Sequence, residues 1–375
     1  MTPKQNFDAP ALAAPIPFAN YSETVPPDEE QVIRELAEVN ETIVKKVYDD
    51  SGHAERAVHA KSHAIFNCKL TVLSELPAEL AQGVFSTPRD YDAVARISSI
   101  AGDLLSDRVS LPRGFSIKLY DVAGERLPGS EQIRTQDFLM VSGTVFATGD
   151  MKAFLKDLKF LAATTDKAAW AKSALSSVLR PLTRAFVKAG IATGPLPAVG
   201  GFPESNPLGE RFGTQAAHRF GNFIAKLDLV PDSENFKALT GREFDLAGRD
   251  NAVRDEIASV LAKEGGAWTL RAQLRRDAAA NPVDDASIEW PEDSNPYLPV
   301  ARLVVKPQDG WSASRSRLVD DEMSFSPWHG IVAHQPIGVI GRVRRQVYPL
   351  LSAYRGSLNG CPIHERAEPP DFAAR

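Results

Sequence analysis

The chain has 375 residues, of which 43% are hydrophobic and 24% charged, a balance typical of folded globular proteins. Its net charge is −5, from 43 basic and 48 acidic side chains, so we expect neither a nucleic acid nor an anionic membrane as partner. Cys68 and Cys361 are the only cysteines, which excludes a disulfide framework and predicts a reducing cytosol. No apolar run is long enough for a membrane span, and no leader pattern predicts export.

The N-terminal part predicts an arm followed by a helix. Residues 1–27 are rich in proline, which is typical of an extended arm that wraps the domain surface or a neighbouring subunit. Apolar residues then recur at steps of three and four, which predicts a helix over residues 28–48. We therefore divide the chain into residues 1–48 (arm and helix), 49–365 (main domain) and 366–375 (tail).

The main domain mixes strand and helix patterns. Residues 115–120 and 298–305 have the composition of strands, and in the first of these Phe115, Ile117 and Leu119 lie on one face. Helical periodicity predicts helices at residues 151–161, 167–180 and 254–263. This order of elements predicts an α+β fold with a β core.

Near the C-terminus, residues 341–355 carry the strongest chemical pattern. On a helix, Tyr348 lies one turn after Arg344 and two turns before Arg355, so one face holds a phenol between two guanidinium groups. Neighbouring cations favour the phenolate, and tyrosinate is one of the few protein ligands of haem iron. The alternative is an ordinary basic helix with a half-buried tyrosine.

A second pattern begins at Arg56 and leads through His59 and His63 into the apolar run that ends at Phe66. A histidine next to a strand and above a cavity is suited to acid–base work near neutral pH. The alternative is that both histidines are partly exposed and bonded to nearby backbone. Three other histidines, His218, His329 and His334, match no motif, and we expect them in loops or at the surface.

Together these patterns resemble the motifs of the haem catalases, in order, and within them those of the short catalase-like branch of peroxidases and hydroperoxide enzymes. The matching segments are Arg56–Phe66 (distal motif), Arg96-Ile97-Ser98 (the family's Arg-Phe-Ser), Arg113–Tyr120 (the strand that follows), Val145–Phe154 (phenylalanines near the haem), Trp290–Val300 and Arg344–Arg355 (proximal motif).

The resemblance implies an antiparallel β-barrel with surrounding helices and an N-terminal arm, without a C-terminal flavodoxin-like domain. The implied cofactor is haem b, with no tightly bound NADPH, and the main domain becomes a haem domain. Tyr348 would be the axial ligand of the iron, with Arg344 hydrogen-bonded to its oxygen. His59 would be the acid–base group, oriented by Ser98.

Other residues would hold the cofactor. Guanidinium groups suit carboxylates, so Arg56, Arg96 and Arg355 would pair with the haem propionates. Phe146 and Phe154 would line the pocket, although both also suit an ordinary aromatic core.

One departure from the catalase motifs and one agreement with them bear on the reaction: the missing amide favours a peroxidase, and the apolar residue before His59, as in catalases, argues against an isomerase. Where catalases carry a distal asparagine amide, this chain has Val141 and Ser142. Losing the amide penalises the correct placement of a second peroxide, which favours a peroxidase over a fast catalase. Val58 precedes His59, whereas allene oxide synthases have threonine there.

The sequence therefore predicts a haem peroxidase that reduces hydrogen peroxide or organic hydroperoxides, with weak catalase activity. The alternatives are a fatty-acid hydroperoxide converting enzyme, which requires a wide apolar channel, and a non-catalytic haem-binding protein. The proline-rich arm permits a homo-oligomer.

Overall fold

The computed structural model describes residues 12–164, 202–246 and 248–372. The predicted helix over 167–180 lies outside them. The strands among these residues are β1 (Ser62–Val72), β2 (Asp90–Ser99), β3 (Arg113–Leu119), β4 (Gln136–Ser142), β5 (Phe212–Gly213), β6 (His218–Phe220), β7 (Phe223–Pro231), β8 (Gly266–Leu274) and β9 (Leu298–Val305). The helices are α1 (Glu29–Ser51), α2 (Met151–Thr164), α3 (Glu234–Lys237), α4 (Ala252–Leu261), α5 (Ala313–Ser316) and α6 (Gly338–Asn359).

The strands form a closed antiparallel barrel. β1 pairs with β2 and β9, and the short β5 closes the ring by pairing with both β4 and β7. Eight strands make the ring, and β6 is added beside β7. Closure leaves the ring without unpaired strand edges. The predicted α+β fold with a barrel core and surrounding helices is confirmed.

The two-residue alternation of β3 separates the barrel interior from its outer face. Phe115, Ile117 and Leu119 join the large buried core cluster, as predicted. Phe66 of β1 stacks on Trp268 of β8 inside the same cluster, with ring centroids 6.1 Å apart. The intervening residues of β3 therefore face away from the core.

α1 follows the arm and ends at a glycine cap. Acidic Glu29 and Glu30 in its first turn favour the positive end of the helix dipole. Gly52 adopts φ +73° and donates its N–H to the carbonyl of Tyr48 over 2.8 Å, which terminates the helix. The prediction of residues 28–48 placed the end three residues too early.

None of the helices in the described ranges is both long and apolar enough to span a membrane.

The described parts of the arm and the tail lie against the barrel. The backbone N–H of Ile16 donates to the carbonyl of Arg275, and that of Phe18 donates to the carbonyl of Asn222. Near the C-terminus, the side-chain amide of Asn67 on β1 donates to the carbonyl of Pro370 over 2.9 Å. These three hydrogen bonds hold the arm and the tail against the outside of the barrel.

His334 is a core residue, contrary to the expected surface position. Its ring is 1% exposed and packs edge-on against Phe85, Phe138 and Phe220. Its Nε2 accepts a hydrogen bond from the backbone N–H of Val84 over 3.0 Å. Burial, and secondarily His218, lowers the pKa of His334 to about 3. The neutral ring therefore acts as an aromatic side chain with one polar contact.

Gly83 makes room for this ring, so we expect G83A to destabilise the protein. Gly83 has φ +54°, and a Cβ there would lie 2.3 Å from Nε2 of His334. We expect a loss of about 3 kcal/mol in the free energy of unfolding, measured by chemical denaturation, from the clash and the displaced hydrogen bond. The matched control is G241A, with φ +67° and open space around the new methyl group. Its loss should be about 1 kcal/mol; equal losses in the two variants would contradict this role of Gly83.

Candidate active site

A cavity of about 200 Å³ lies outside the barrel wall, and both chemical motifs of the sequence line it. His59 enters from the segment between α1 and β1, Tyr348 from α6, and Ser116 from the outer face of β3. Phe325 and its neighbours close another side. Two motifs almost 300 residues apart in sequence therefore meet in one cavity.

The position of His59 depends on two residues of the barrel wall. Its Nδ1 lies 3.1 Å from Oγ of Ser98 on β2. Ser98 is paired with Gly114 of β3, and a Cβ on Gly114 would lie 2.6 Å from the imidazole ring. His59 itself adopts φ +59°, an uncommon conformation for a residue other than glycine. The missing side chain at position 114 thus provides the space for the ring.

His59 is a neutral base at pH 7. Burial, followed by the charges of Arg96, Arg344 and Arg56, lowers the pKa of His59 to about 3. Both causes disfavour the imidazolium, so the ring becomes protonated only as the pH falls toward that value. A neutral imidazole here can accept a proton from a molecule in the cavity.

Tyr348 is half-buried in the cavity wall, and Arg344 lies one turn before it on α6. The two side chains make no hydrogen bond with each other in the structure. Arg344 is instead close enough to His218 to act on it: burial first, and then Arg344, lowers the pKa of His218 to about 4. His218, which was expected at the surface, is 6% exposed. No motif of the sequence predicted that His218 would be a neighbour of Arg344.

Arginine side chains form one wall of the cavity around a buried aspartate. Nε of Arg96 donates to Asp320 over 2.6 Å, and Nε of Arg56 lies 3.9 Å from the same carboxylate. Asp320 also accepts hydrogen bonds from the hydroxyls of Ser62 and Ser316, each over 2.7 Å. Burial alone would raise the pKa of Asp320, but the two guanidinium groups and the hydroxyls hold it below its usual value. Asp320 is therefore ionised and holds the side chains of Arg96 and Arg56 in this wall.

Three guanidinium groups of the wall share one directly bonded carboxylate, that of Asp320, while Glu55 and Asp321 act on them from farther away. Arg56 donates to the carbonyls of Val319 and Met323, and Arg355 donates to that of Met323. Burial, followed by Arg355 and Arg96, depresses the pKa of Arg56 far below its usual value, and burial also lowers that of Arg355. Nε of Arg56 is buried without a hydrogen-bond partner. This side of the cavity therefore suits an anionic ligand.

Four sequence-predicted or flagged positions lie elsewhere. The rings of Phe146 and Phe154 pack on each other, 5.2 Å apart, beside α1 and α2, and do not line this cavity. Val141 and Ser142 do not line it either. Oγ of Ser142 lies 3.1 Å from the backbone N–H of Arg113 and 3.1 Å from a carboxylate oxygen of Glu210. The hydroxyl of Ser142 is therefore engaged by Arg113 and Glu210.

His329 lies in a loop, as expected, and it also lines the cavity, which the sequence did not predict. Its Nδ1 lies 3.4 Å from the carboxylate of Asp137, which is fully buried with Lys118 at 2.8 Å. Glu365, from the tail end of the chain, adds a second carboxylate 3.1 Å from the same ammonium. These partners are distant in sequence, so only the fold reveals the cluster.

Across the described residues, no group of three or more histidine, cysteine or acidic side chains is arranged to hold a metal ion.

We expect D320N to destabilise the protein by about 3 kcal/mol in the free energy of unfolding, because it leaves Arg96 and Arg56 buried without a carboxylate. The matched control is D321N, the next residue, whose partly exposed carboxylate pairs with His53 at 3.0 Å. That change should cost less than about 1 kcal/mol. Chemical denaturation of both variants measures the difference, and similar losses would show that Asp320 does not anchor the wall.

Comparisons of the sequence with known protein families and with curated proteins find no match. Solved structures do match. Catalase A from Saccharomyces cerevisiae superposes with a TM-score of 0.58 at 15% identity, covering 93% of this chain and 68% of that one. A fungal catalase gives a TM-score of 0.56 at 16% identity, covering 97% and 71%. A bacterial catalase gives 0.53 at 14% identity, covering 98% and 71%. At these identities the likeness establishes the architecture, and the chain has the catalase fold.

Proposed function

We propose that this protein is a haem-dependent peroxidase that reduces hydrogen peroxide or organic hydroperoxides and has weak catalase activity. The observation that carries the proposal is the meeting of the His59–Ser98 pair, Tyr348 and an arginine-rich wall in one cavity. A neutral base, a phenol and a cationic wall are the groups that a tyrosinate-ligated haem and a peroxide would require.

The cationic and polar side chains of the cavity suit the propionates of haem b. The macrocycle carries two propionates, and the wall holds Arg56, Arg96 and Arg355 against the single directly bonded carboxylate of Asp320. Nε of Arg56 and Oγ of Ser352 are buried without partners in the cavity lining. Propionate oxygens would satisfy such donors, because a guanidinium binds a carboxylate through paired hydrogen bonds.

Tyr348 would hold the cofactor from α6. The bound haem supplies an iron that carries electrons between the peroxide and a reductant. Arg344 lies one turn before Tyr348 on the same helix, and the two side chains make no hydrogen bond with each other in this structure. The arginine wall would fix the cofactor at the propionate edge, so that His59 and Tyr348 are both presented to it.

His59 would move the proton of the substrate. Its lowered pKa keeps the ring neutral at pH 7, with one ring nitrogen carrying a proton and the other free to accept one. The ring takes the proton from one peroxide oxygen and returns it to the oxygen that leaves when the O–O bond breaks. Ser98 holds the ring at its Nδ1 edge, so the transfer starts from a fixed position.

The peroxidase assignment is preferred over a fast catalase because of the position of Ser142. Oxidation of a second peroxide requires that molecule to be held in the correct orientation. Val141 has no polar side chain, and the Ser142 hydroxyl is bonded toward Arg113 and Glu210. The weak catalase activity follows from this lack of a distal donor at the predicted positions.

Y348F tests the cofactor assignment. Wild-type protein loaded with haem b should show the absorption spectrum of tyrosinate-ligated ferric haem, and Y348F should lose its tyrosinate-to-iron band, because phenylalanine has no oxygen ligand. Y354F is the matched control, since Tyr354 lies on the same helix and does not line the cavity. An unchanged spectrum in Y348F, or no uptake of haem by the wild type, would contradict the assignment of Tyr348 as the haem ligand.

Peroxide turnover tests the reaction. With guaiacol as donor, the haem-loaded protein should consume hydrogen peroxide while an oxygen electrode records little oxygen release. The rate should stay level between pH 8 and pH 5, because His59 remains neutral down to a pKa of about 3. Rapid, sustained oxygen evolution would instead establish a true catalase.

Two adjacent serines supply the control for this assay. S98A should slow peroxide consumption by at least about tenfold, because it frees the ring of His59. S99A removes the neighbouring hydroxyl, which lies 2.7 Å from Nε2 of His63 instead, and should leave the rate unchanged. Equal rates for S98A and the wild type would remove Ser98 from the mechanism.

A further inference from the structure

A second cavity of about 270 Å³ adjoins the first. Gly129, Ser326, His329 and Pro349 line both cavities, so the two share a wall next to Tyr348. A molecule held in the second cavity would therefore lie directly behind the residues that line the candidate active site.

The chemistry of the second cavity is set by Trp328 and Arg345. The Arg345 guanidinium lies 5.0 Å from the centroid of the indole, and the indole N–H donates to the carbonyl of Gly341 over 2.8 Å, which fixes the ring. Arg345 is exposed and forms no ion pair with any described residue. By contrast, Arg342 on the same helix is bonded to both Glu23 and Glu29. Arg345 thus offers an unmatched cation beside an aromatic surface.

No acidic side chain lines this cavity in the described part of the chain. The remaining lining residue is Pro128, which with Pro349 and Trp328 gives apolar walls. A pocket of this kind favours a small, flat, apolar group that carries one negative charge, because the ring packs on the walls and the charge meets the guanidinium.

We propose that this second cavity binds a small phenolic carboxylate, the electron donor for peroxide reduction. This inference rests on the proposed peroxidase function and names the class of its reductant. The carboxylate would bind Arg345, and the phenol ring would pack beside Trp328 against the shared wall.

The redox balance requires such a donor. Reduction of a hydroperoxide breaks the O–O bond and consumes two electrons and two protons, giving an alcohol and water. Two phenolic molecules supply these, each losing one electron and one proton and leaving as a phenoxyl radical. Among the four residues that line both cavities, His329 is the only one with a side chain suited to accept a proton. It is therefore the candidate acceptor for the phenolic proton.

Titration calorimetry tests the site directly. The protein as purified is titrated with 4-hydroxybenzoate and, separately, with its neutral methyl ester, which keeps the ring and removes the charge. We expect the carboxylate to bind about tenfold more tightly than the ester, as one charge-assisted hydrogen bond would give. R345Q should abolish this difference by weakening only the carboxylate.

R302Q is the matched control. Arg302 is a half-exposed arginine of β9 that pairs with Asp232 and lines neither cavity. Its loss should leave both affinities unchanged. No measurable binding of 4-hydroxybenzoate, or equal affinities in wild type and R345Q, would overturn the proposal.

A separate activity assay distinguishes failure of this site from failure of the peroxidase function. Wild-type oxidation of guaiacol, a neutral phenol, reports on peroxide reduction without the charge contact. Failure of guaiacol oxidation would reject the proposed function, whereas the calorimetric comparison accepts or rejects the carboxylate site on its own.

Discussion

The candidate site depends on the two-residue alternation of the barrel wall. Residues of β2 and β3 that point inward build the aromatic core, and their neighbours point outward to the cavity. Arg96 and Ser116 face the cavity in this way, Ser98 contacts the ring of His59, and Gly114 leaves the gap that this ring occupies. A shift of one residue in either strand would exchange core and cavity side chains. The strand register that buries the core side chains therefore also places the cavity side chains.

The buried pair of Arg96 and Asp320 connects this wall to the segment after α5. Burial of a charge is costly unless the charge is paired, so the pair fixes the register between the barrel and the segment. Arg96 also donates to the backbone carbonyl of His59 over 2.8 Å. One side chain thus positions the base and lowers its pKa, which makes the arginine wall part of the acid–base chemistry as well as a place for a ligand.

The sequence predicted what depends on local periodicity. The sequence predicts the face formed by Phe115, Ile117 and Leu119, because strand alternation is a local property. It also predicts α1, because the apolar positions of this helix follow the helical period. The roles of Asp320 and His329 could not be predicted, because their charged partners Arg96 and Asp137 lie more than 180 residues away and depend on strand register and segment packing. His334 was misplaced for the same reason: only the fold supplies the aromatic rings around it.

The two halves of the site come from opposite ends of the chain, and a specific contact joins them. Ile33 and Ala37 of α1 pack against Val347 of α6, immediately before Tyr348. Just beyond α1, the backbone N–H of Ala54 donates to the side-chain oxygen of Asn359 over 2.7 Å, and the amide of Asn359 donates back to the carbonyl of Ala54 over 2.9 Å. These paired bonds hold the segment that carries His59 against the end of the helix that carries Tyr348. The base and the phenol consequently reach one cavity only after both ends of the chain have packed together.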